Sequence, residues 1–439
     1  MSARTARPAL LSPRTRARGR RLSLRTLTGG GIVAAFALLP ATTAIAATPA
    51  AATNIGLFGS QAPTYDGVYR QSIAILGLVA TGHTPDANAV GWLLSQQCSD
   101  GAFTAYRATP TTACTVATED ENATAAAIQA LAALGKPTAS AVAALKHFQL
   151  ADGGFYDNTA FGPAASDANS TGLAMSALAA AGVSPVTVTS TTGKTGADYL
   201  RTLQLACSAT AGSGAYDFQG EATLHANDYA TVQALLGILG KSFPLAATAA
   251  SGGAPACPAA ITDAGTSAAA AESYLAARLT ATSGAIPSAF GSGVDWTTTA
   301  NAVLDLEAAG VASAAVASGL SALEAHAKTY VQTAGVNTPG PLATLLLVAH
   351  ASGLDPTTFG GLDLAIVLAT TERTAATVVA APTPAPPSAT PIAIAAPRPT
   401  LPATGSSDVK PLGAVATGLI GLGLVSLFVS GRRRSSRQR

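Results

Sequence analysis

Small acidic and amide residues recur where the alanine- and leucine-rich segments of this chain begin. The residues at these starts that could do chemistry are Asp120, Asn122, Asp167, Asn169, Asn227, Asp228, Asp295 and the aromatic Trp296. Carboxylates, carboxamides and an indole around an apolar opening could bind a small ligand, and a desolvated carboxylic acid there could donate a proton. The same residue types are common helix N-caps, whose side-chain oxygens accept hydrogen bonds from the first backbone N–H groups. The choice between these roles depends on the elements that position the residues.

These starts belong to a sequence that repeats itself between Tyr65 and about residue 371. Residues 91–135 and 144–182 share one order: a helix-like segment ending in Gln, an Asp-Gly turn, an aromatic residue, a polar loop and an Ala/Leu-rich helix. Each Ala/Leu-rich helix stops at a glycine, the residue expected just past a helix C-terminus. Two helices in each unit predict stacked helical hairpins.

The glycine stops divide the predicted helices into two sets. The first set is near 68–81, 120–134, 167–181, 226–239, 295–309 and 339–352, and the second near 87–97, 138–149, 195–206, 268–280, 316–331 and 359–372. Six helices of each kind predict an all-α fold over residues 62–374, an (α/α)6 toroid of about twelve helices in two concentric layers. The first set is poor in charge and predicts the inner layer, whereas the second carries basic residues that suit a half-solvated layer. Because the units run in the same sense, the acids and amides should gather at one rim.

Both ends of the chain carry targeting patterns. Residues 1–28 contain eight arginines and no acid, an apolar stretch follows, and Ala44-Ile45-Ala46 fits a cleavage site, so residues 1–46 predict a signal peptide. Near the other end, an uncharged apolar run from Pro411 to Gly431 precedes a tail rich in arginine. This run has about the ~20 residues that a membrane-spanning helix needs. The basic tail predicts that the span ends on the cytoplasmic side.

The C-terminal order resembles the cell-wall sorting signal of Gram-positive surface proteins. Its motif is Leu401, Pro402, Ala403, Thr404 and Gly405. The resemblance implies that residues 401–439 are a sorting signal, that a sortase cuts between Thr404 and Gly405, and that Thr404 is joined to peptidoglycan. The precursor would then pass through the plasma membrane before it is anchored outside the cell. An ordinary membrane anchor is the alternative, and the Pro-rich residues 378–400 predict an extended linker to the wall.

Processing at both ends changes the charge of the chain. The mature segment 47–404 keeps 11 basic and 22 acidic residues, a net charge of −11. Nucleic-acid binding, which needs a basic surface, is therefore excluded, and we expect a monomer. The four cysteines predict two disulfides in an exported protein, and of three possible pairings we favour Cys98–Cys114 with Cys207–Cys257. No Cys-x-x-Cys occurs and the histidines do not cluster, so we expect neither a metal nor a cofactor.

The repeated turns resemble the prenyltransferase and squalene-cyclase repeat. The matching segments end in Asp100-Gly101-Ala102-Phe103 and Asp152-Gly153-Gly154-Phe155, each after a Gln, and the later units match less well. The resemblance implies a toroid in which the Gln and the aromatic residue tie an outer helix to the turn leading inward. Terpene cyclases, protein prenyltransferase β-subunits, thioester domains and cobalamin carriers share this fold, so the fold alone does not assign a function.

The motifs of the catalytic branches are not complete in this chain. Glu119-Asp120-Glu121-Asn122 is nearest to the Asp-x-Asp-Asp acid motif of squalene-cyclase-type enzymes, and the zinc and thioester motifs of the other branches are missing. The sequence therefore favours a non-catalytic toroid that binds a small-molecule or macromolecular ligand. One alternative is an extracellular terpene-cyclase-like or prenyltransferase-like enzyme acting on a hydrophobic substrate, with Asp120 or Asp167 as the acid. Another is a capture protein of the cobalamin-carrier kind.

Overall fold

The computed structural model describes residues 54–374, apart from Phe161, Glu221 and Phe290. The predicted signal peptide (1–46), linker (378–400) and sorting signal (401–439) lie outside the described residues. Within them, the odd-numbered helices are α1 (Gly67–Ala80), α3 (Glu121–Ala133), α5 (Ala168–Ala180), α7 (Asp228–Ile238), α9 (Trp296–Ala309) and α11 (Pro339–Ala351). The even-numbered helices are α2 (Ala87–Ser95), α4 (Ala139–Leu145), α6 (Gly196–Thr202), α8 (Ala264–Ala281), α10 (Ser313–Tyr330) and α12 (Leu364–Ala369). A short antiparallel hairpin, β1 (Gln332–Thr333) and β2 (Val336–Asn337), separates α10 from α11.

The six odd-numbered helices form a closed ring. Each packs against the next one, and α11 packs against α1. The even-numbered helices lie outside this ring: α2, α4, α6 and α12 pack on α1, α3, α5 and α11, while α8 and α10 pack on their inner neighbours and on each other. The described part of the chain is therefore an all-α toroid of twelve helices, as the repeats predict. No helix among these residues is both long and apolar enough to cross a membrane.

Small residues let the inner helices approach one another closely. At the contact of α5 and α7, a Cβ atom on Gly172 would lie 2.1 Å from the carbonyl oxygen of Gln233. A Cβ atom on Gly237 would lie 2.4 Å from the oxygen of Gly172. Since real side chains do not reach such distances, the glycines fix the spacing of this pair of helices. This is the physical reason for the Ala- and Gly-rich composition of the inner set.

The repeated turn makes the same joint in successive units. The Gln149 side chain donates to the Gly153 oxygen (3.0 Å), and the Phe155 N–H donates to Thr171 Oγ1 (2.9 Å) on the following inner helix. Phe103, Tyr216 and Ile286 make the equivalent bond to Thr124, Thr231 and Thr299 at 2.9–3.0 Å. The later units, which match the repeat signature less well, therefore keep its backbone geometry.

Three local features differ from the predictions. The outer segment predicted at 359–372 is a 3-10 turn at Phe359–Gly361 followed by the short helix α12. The segment at 138–149 likewise ends in a 3-10 turn at Lys146–Phe148. The residues before the inner helix predicted near 339–352 form a hairpin that was not predicted, with Asn337 on β2, because Pro339 begins α11 and lacks the N–H that would extend the helix backwards.

The two disulfides have the predicted pairing. Cys98 bonds to Cys114 and Cys207 to Cys257, with Cα–Cα distances of 5.8 and 5.6 Å. The first staples the loop between α2 and α3, and the second staples the loop between α7 and α8 to the end of α6. Disulfides are typical of proteins in oxidising compartments, so they favour an extracellular location.

Candidate functional site

The starts of the inner helices lie at one rim of the ring. Backbone hydrogen bonds link neighbouring starts: Val68 N–H to Ala105 O (2.9 Å), Glu121 N–H to Asp157 O (2.8 Å) and Ala168 N–H to Phe218 O (2.8 Å). In each case the loop of one unit accepts from the first turn of the preceding inner helix. The rim is therefore a continuous structure, and the loop residues sit beside the helix starts.

Four of the predicted rim residues cap their own helices. Asp120, Asp167, Asn227 and Asp295 each accept a hydrogen bond through Oδ1 from a backbone N–H in the first turn, at 2.7–2.9 Å. This satisfies one of the N–H groups that every helix start leaves without a partner. Asp66 makes no such bond and pairs with Arg70 instead (3.1 Å). Capping thus explains the recurrence of these residue types, and the second oxygens of Asp167 and Asp295 accept from the hydroxyls of Ser170 and Thr298 in the same first turns.

Two of the predicted rim residues turn toward the outer layer. Asp228 forms an ion pair with Arg278 of α8 (2.6 Å) and accepts a hydrogen bond from the Tyr274 hydroxyl. The Trp296 ring stacks on His326 of α10, with ring centroids 4.6 Å apart. Both residues hold the two layers together, and the structure does not bring them to the other rim residues.

Two carboxylates outside the predicted set of rim residues, Glu121 and Asp157, join Asp120 and Asp167 in a group of four, hereafter the acid cluster. Asn158 Nδ2 donates to Asp157 Oδ2 (2.9 Å) and to Asp120 Oδ2 (3.3 Å). The carboxyl groups of Asp120 and Asp157 also lie close enough for each to affect the pKa of the other. Burial, together with the charges of Asp120 and Asp167, raises the pKa of Asp157 to about 9. Burial raises the pKa values of Asp120 and Asp167 to about 6, so the Asp120–Asp157 pair holds a proton at neutral pH.

Glu121 is the most deeply buried member of the acid cluster. Its side chain is 0% exposed, and neither carboxyl oxygen has a hydrogen-bond partner. Burial and then the charges of Asp157, Asp167 and Asp120 raise its pKa well above the usual range. Asp157 Oδ1, Asn169 Oδ1 and the Tyr229 hydroxyl are also buried without a partner. An unpaired buried polar atom costs about 1–3 kcal/mol, so a molecule that paired these atoms would stabilise the protein.

The acid cluster faces a half-buried layer of side chains. Tyr69, Asn122, Asn169 and Tyr229 occupy the same position in α1, α3, α5 and α7, two residues before the residue that bonds the repeated turn. All four are half-buried. Helices α1 and α7 stand opposite each other in the ring, yet Tyr69 is close enough to raise the pKa of Tyr229. We call these four residues the mouth layer.

Comparison of the repeats separates the two additional acids from the backbone hydrogen bonds of the rim. Asp157 occupies the position of Ala105 and Phe218 in the neighbouring units, and its backbone oxygen makes the same hydrogen bond as theirs. Glu121 occupies the position of Val68 and Ala168, and also that of Asp228, whose carboxylate pairs with Arg278. An acid in a loop position that is apolar in the sister units, as at Asp157, is a signal that an alignment of the units could have revealed.

Two other features of the described residues lie away from the rim. Cys98, Asp100 and Glu119 bring potential metal ligands within 4.8 Å of one another, but the sulfur of Cys98 is bound in a disulfide, which leaves two carboxylates. A cleft of about 290 Å³ lies between α1 and α12 and is lined by Leu78, His83 and Glu372, among others. It contains none of the predicted site residues.

Comparison with known proteins finds distant structural similarities. No protein-family model and no curated protein matches the chain. Among solved structures, a protein from Actinoplanes is 14% identical, with a TM-score of 0.41 over 68% of this chain and 92% of its own. Two variants of the type II terpene cyclase MstE from Scytonema, each in complex with geranylgeranyl dihydroxybenzoate, are 12% and 11% identical. They cover 69% and 72% of this chain and 88% and 92% of their own, each with a TM-score of 0.39. At these values the likeness assigns neither an activity nor a ligand to this chain.

Proposed function

We propose that the toroid is the ligand-binding domain of an extracellular protein and that it binds its ligand at the mouth layer, above the acid cluster. The observation that carries this proposal is the set of buried oxygens without partners on Glu121, Asp157, Asn169 and Tyr229. A bound molecule with hydrogen-bond donors would satisfy all of them. The capping role alone leaves them unexplained.

The protein would be displayed on the cell wall as a monomer. The two disulfides support an extracellular site. The sequence pattern at residues 401–439 supports covalent attachment to peptidoglycan through Thr404 by a sortase. The Pro-rich residues 378–400 would hold the domain away from its attachment point.

Native mass spectrometry of the purified protein tests the binding proposal. We expect the wild type to retain a ligand, visible as an added mass, and Asn169→Ala to lose it, because the substitution removes an amide of the mouth layer. His83→Ala, in the cleft between α1 and α12, is the matched control and should retain the ligand. Loss from the His83 variant with retention by the Asn169 variant would place the binding site in the cleft.

A second candidate function is acid catalysis on a hydrophobic substrate. It is favoured by one observation, the proton that the Asp120–Asp157 pair holds at neutral pH. Asp157 would give this proton to a carbon–carbon double bond, and its carboxylate would be left hydrogen-bonded to Asn158. The resulting carbocation would lose a proton to water, and the Asp120–Asp157 pair would take up a proton from solvent before the next turnover. The acid is then Asp157, in place of the Asp120 or Asp167 expected from the sequence. Isoprenoid turnover by the wild type that disappears in Asp157→Asn would establish this function.

A further inference from the structure

The acid cluster lacks a basic partner. The ion pairs of the described residues are Arg70–Asp66, Arg201–Asp198 and Arg278–Asp228, and none of them involves the cluster. The charges that act most on Glu121 are the carboxylates of Asp157, Asp167 and Asp120. Acids gathered without a counter-charge create a negative potential that attracts cations.

The unpaired atoms at this place also specify hydrogen-bond donors. Glu121 Oε1 and Oε2, Asp157 Oδ1 and Asn169 Oδ1 have no partner. The oxygens of an ionised carboxylate and of an amide accept hydrogen bonds and cannot donate them. Glu121 is 0% exposed, which separates it from the acidic surface groups that are common without a ligand. A molecule that fits must therefore bring several N–H or O–H donors together with a positive charge.

Two observations favour an organic cation over a metal ion at the acid cluster. Among the described residues, the one trio of His, Cys, Asp or Glu ligand atoms within 4.8 Å of one another is Cys98, Asp100 and Glu119, which is not part of the acid cluster. An ammonium group carries several N–H donors, which suit carboxylate and amide oxygens that lack partners. The rings of Tyr69 and Tyr229 in the mouth layer add aromatic surface, which favours an organic cation.

We propose that the ligand of the mouth layer is a primary amine, whose ammonium group donates hydrogen bonds to the unpaired oxygens of Glu121, Asp157 and Asn169. This inference rests on the proposed function, since it names the ligand class of the same site. The shared proton of Asp120 and Asp157 competes with the ammonium ion, because both neutralise the same carboxylates. The groups that face the pair are Glu121 of α3, Asn158, Asp167 of α5, Tyr69 of α1 and Tyr229 of α7. None of them is basic, so binding of the amine releases a proton and tightens as the pH rises from slightly acid to slightly alkaline.

Calorimetric titration of the full chain with cadaverine tests the inference, with the diol of the same chain length and calcium chloride as parallel probes. We expect cadaverine to bind, the diol not to bind, and the affinity for cadaverine to rise between pH 6 and pH 8 with release of about one proton. Glu121→Gln should weaken cadaverine by about tenfold or more, because the bound ammonium would hold Glu121 ionised and a glutamine amide carries no charge. Asp305→Asn is the matched control, since Asp305 is also a buried acid with an unpaired oxygen but lies within α9, away from the rim.

Each other outcome overturns the amine assignment. Calcium binding without cadaverine binding would make the acid cluster a metal site, and equal binding of the diol would remove the role of the charge. Cadaverine binding that Glu121→Gln leaves unchanged, or no binding of any probe, would also refute it. The proposed function is tested separately. If Asn169→Ala loses the native ligand but cadaverine does not bind, the binding site stands and only its ligand class changes.

Discussion

Asp157→Asn should stabilise the protein at neutral pH, although it removes a hydrogen-bonded side chain. The pKa of Asp157 is about 9 in the folded protein, against 3.8 for an ordinary aspartate. The folded state therefore binds a proton that the unfolded chain has released at pH 7. To fold at pH 7, the chain must take up this proton, which costs about 1.36 kcal/mol for each unit by which the pH exceeds the unfolded pKa. Proton uptake therefore disfavours folding by about 4 kcal/mol. An asparagine amide has the shape of the protonated acid and needs no proton.

The expected gain is smaller than this figure, because Asp120 and Asp157 titrate as a pair. Replacing Asp157 also changes the pKa of Asp120, and this change offsets part of the gain. We expect a gain of about 2 kcal/mol in the free energy of unfolding at pH 7. A group whose folded pKa is raised contributes stability below its unfolded pKa and loses that contribution as the pH rises. The difference between variant and wild type should therefore vanish near pH 4 and grow toward pH 9.

Urea unfolding of both proteins across this pH range measures the effect. Asp198→Asn is a control of opposite sign, because hydrogen bonds from Thr195 and the charge of Arg201 lower the pKa of Asp198. That variant should lose stability at neutral pH and match the wild type in acid. An Asp157 variant that is less stable than the wild type at pH 7, or whose gain does not change with pH, would refute the shared proton.

Two further predictions concern the fold and the anchor. Gly153→Val should destabilise the protein by about 2 kcal/mol or more, because Gly153 has φ +93° and its Cβ would lie 2.4 Å from the Thr195 oxygen; Gly193→Val, at φ +77° with open space around it, should cost less in the same urea titration. Thr404→Ala should shift the protein from cell-wall digests to membrane and medium fractions, whereas Thr400→Ala, outside the motif, should not; the Thr404 variant recovered on peptidoglycan fragments would contradict the sortase proposal.

The architecture of the described residues could be predicted from the sequence because repetition makes the signal redundant. The glycine stops mark the ends of six inner helices. Gly172 and Gly237, which lie within α5 and α7, show why these helices are rich in small residues, since the two helices approach each other closely there. The 3-10 turn at Phe359–Gly361 and the hairpin ending at Asn337 were missed, because each occurs once and depends on local turn geometry. Patterns that repeat are averaged over many residues, whereas a single turn depends on a few dihedral angles.

The sequence predicted a rim of acids and amides at the helix starts but only some residues of the acid cluster. Asp120, Asp167 and Asn169 were found because acids and amides at helix starts form a pattern. Asp228 and Trp296 share that pattern but contact the outer helices, because Arg278 of α8 and His326 of α10 lie beside them. Asp157 was missed because it lies in a loop, and only the hydrogen bond from Glu121 N–H brings it beside Asp120.

The acid cluster distinguishes this rim from a rim that contains only helix caps. A cap needs one oxygen and a partly solvated carboxylate, and Asp295 provides both without further acids nearby. At α3 and α5 the sequence adds Glu121 and Asp157, where the neighbouring units carry Val68, Ala168, Ala105 and Phe218. These additions raise pKa values and leave oxygens unpaired, so they lower the stability of the empty protein. A bound molecule would restore this stability. The Asp157 and Glu121 variants should therefore separate stability from binding: the Asp157 variant should gain stability in the absence of ligand, and the Glu121 variant should lose affinity.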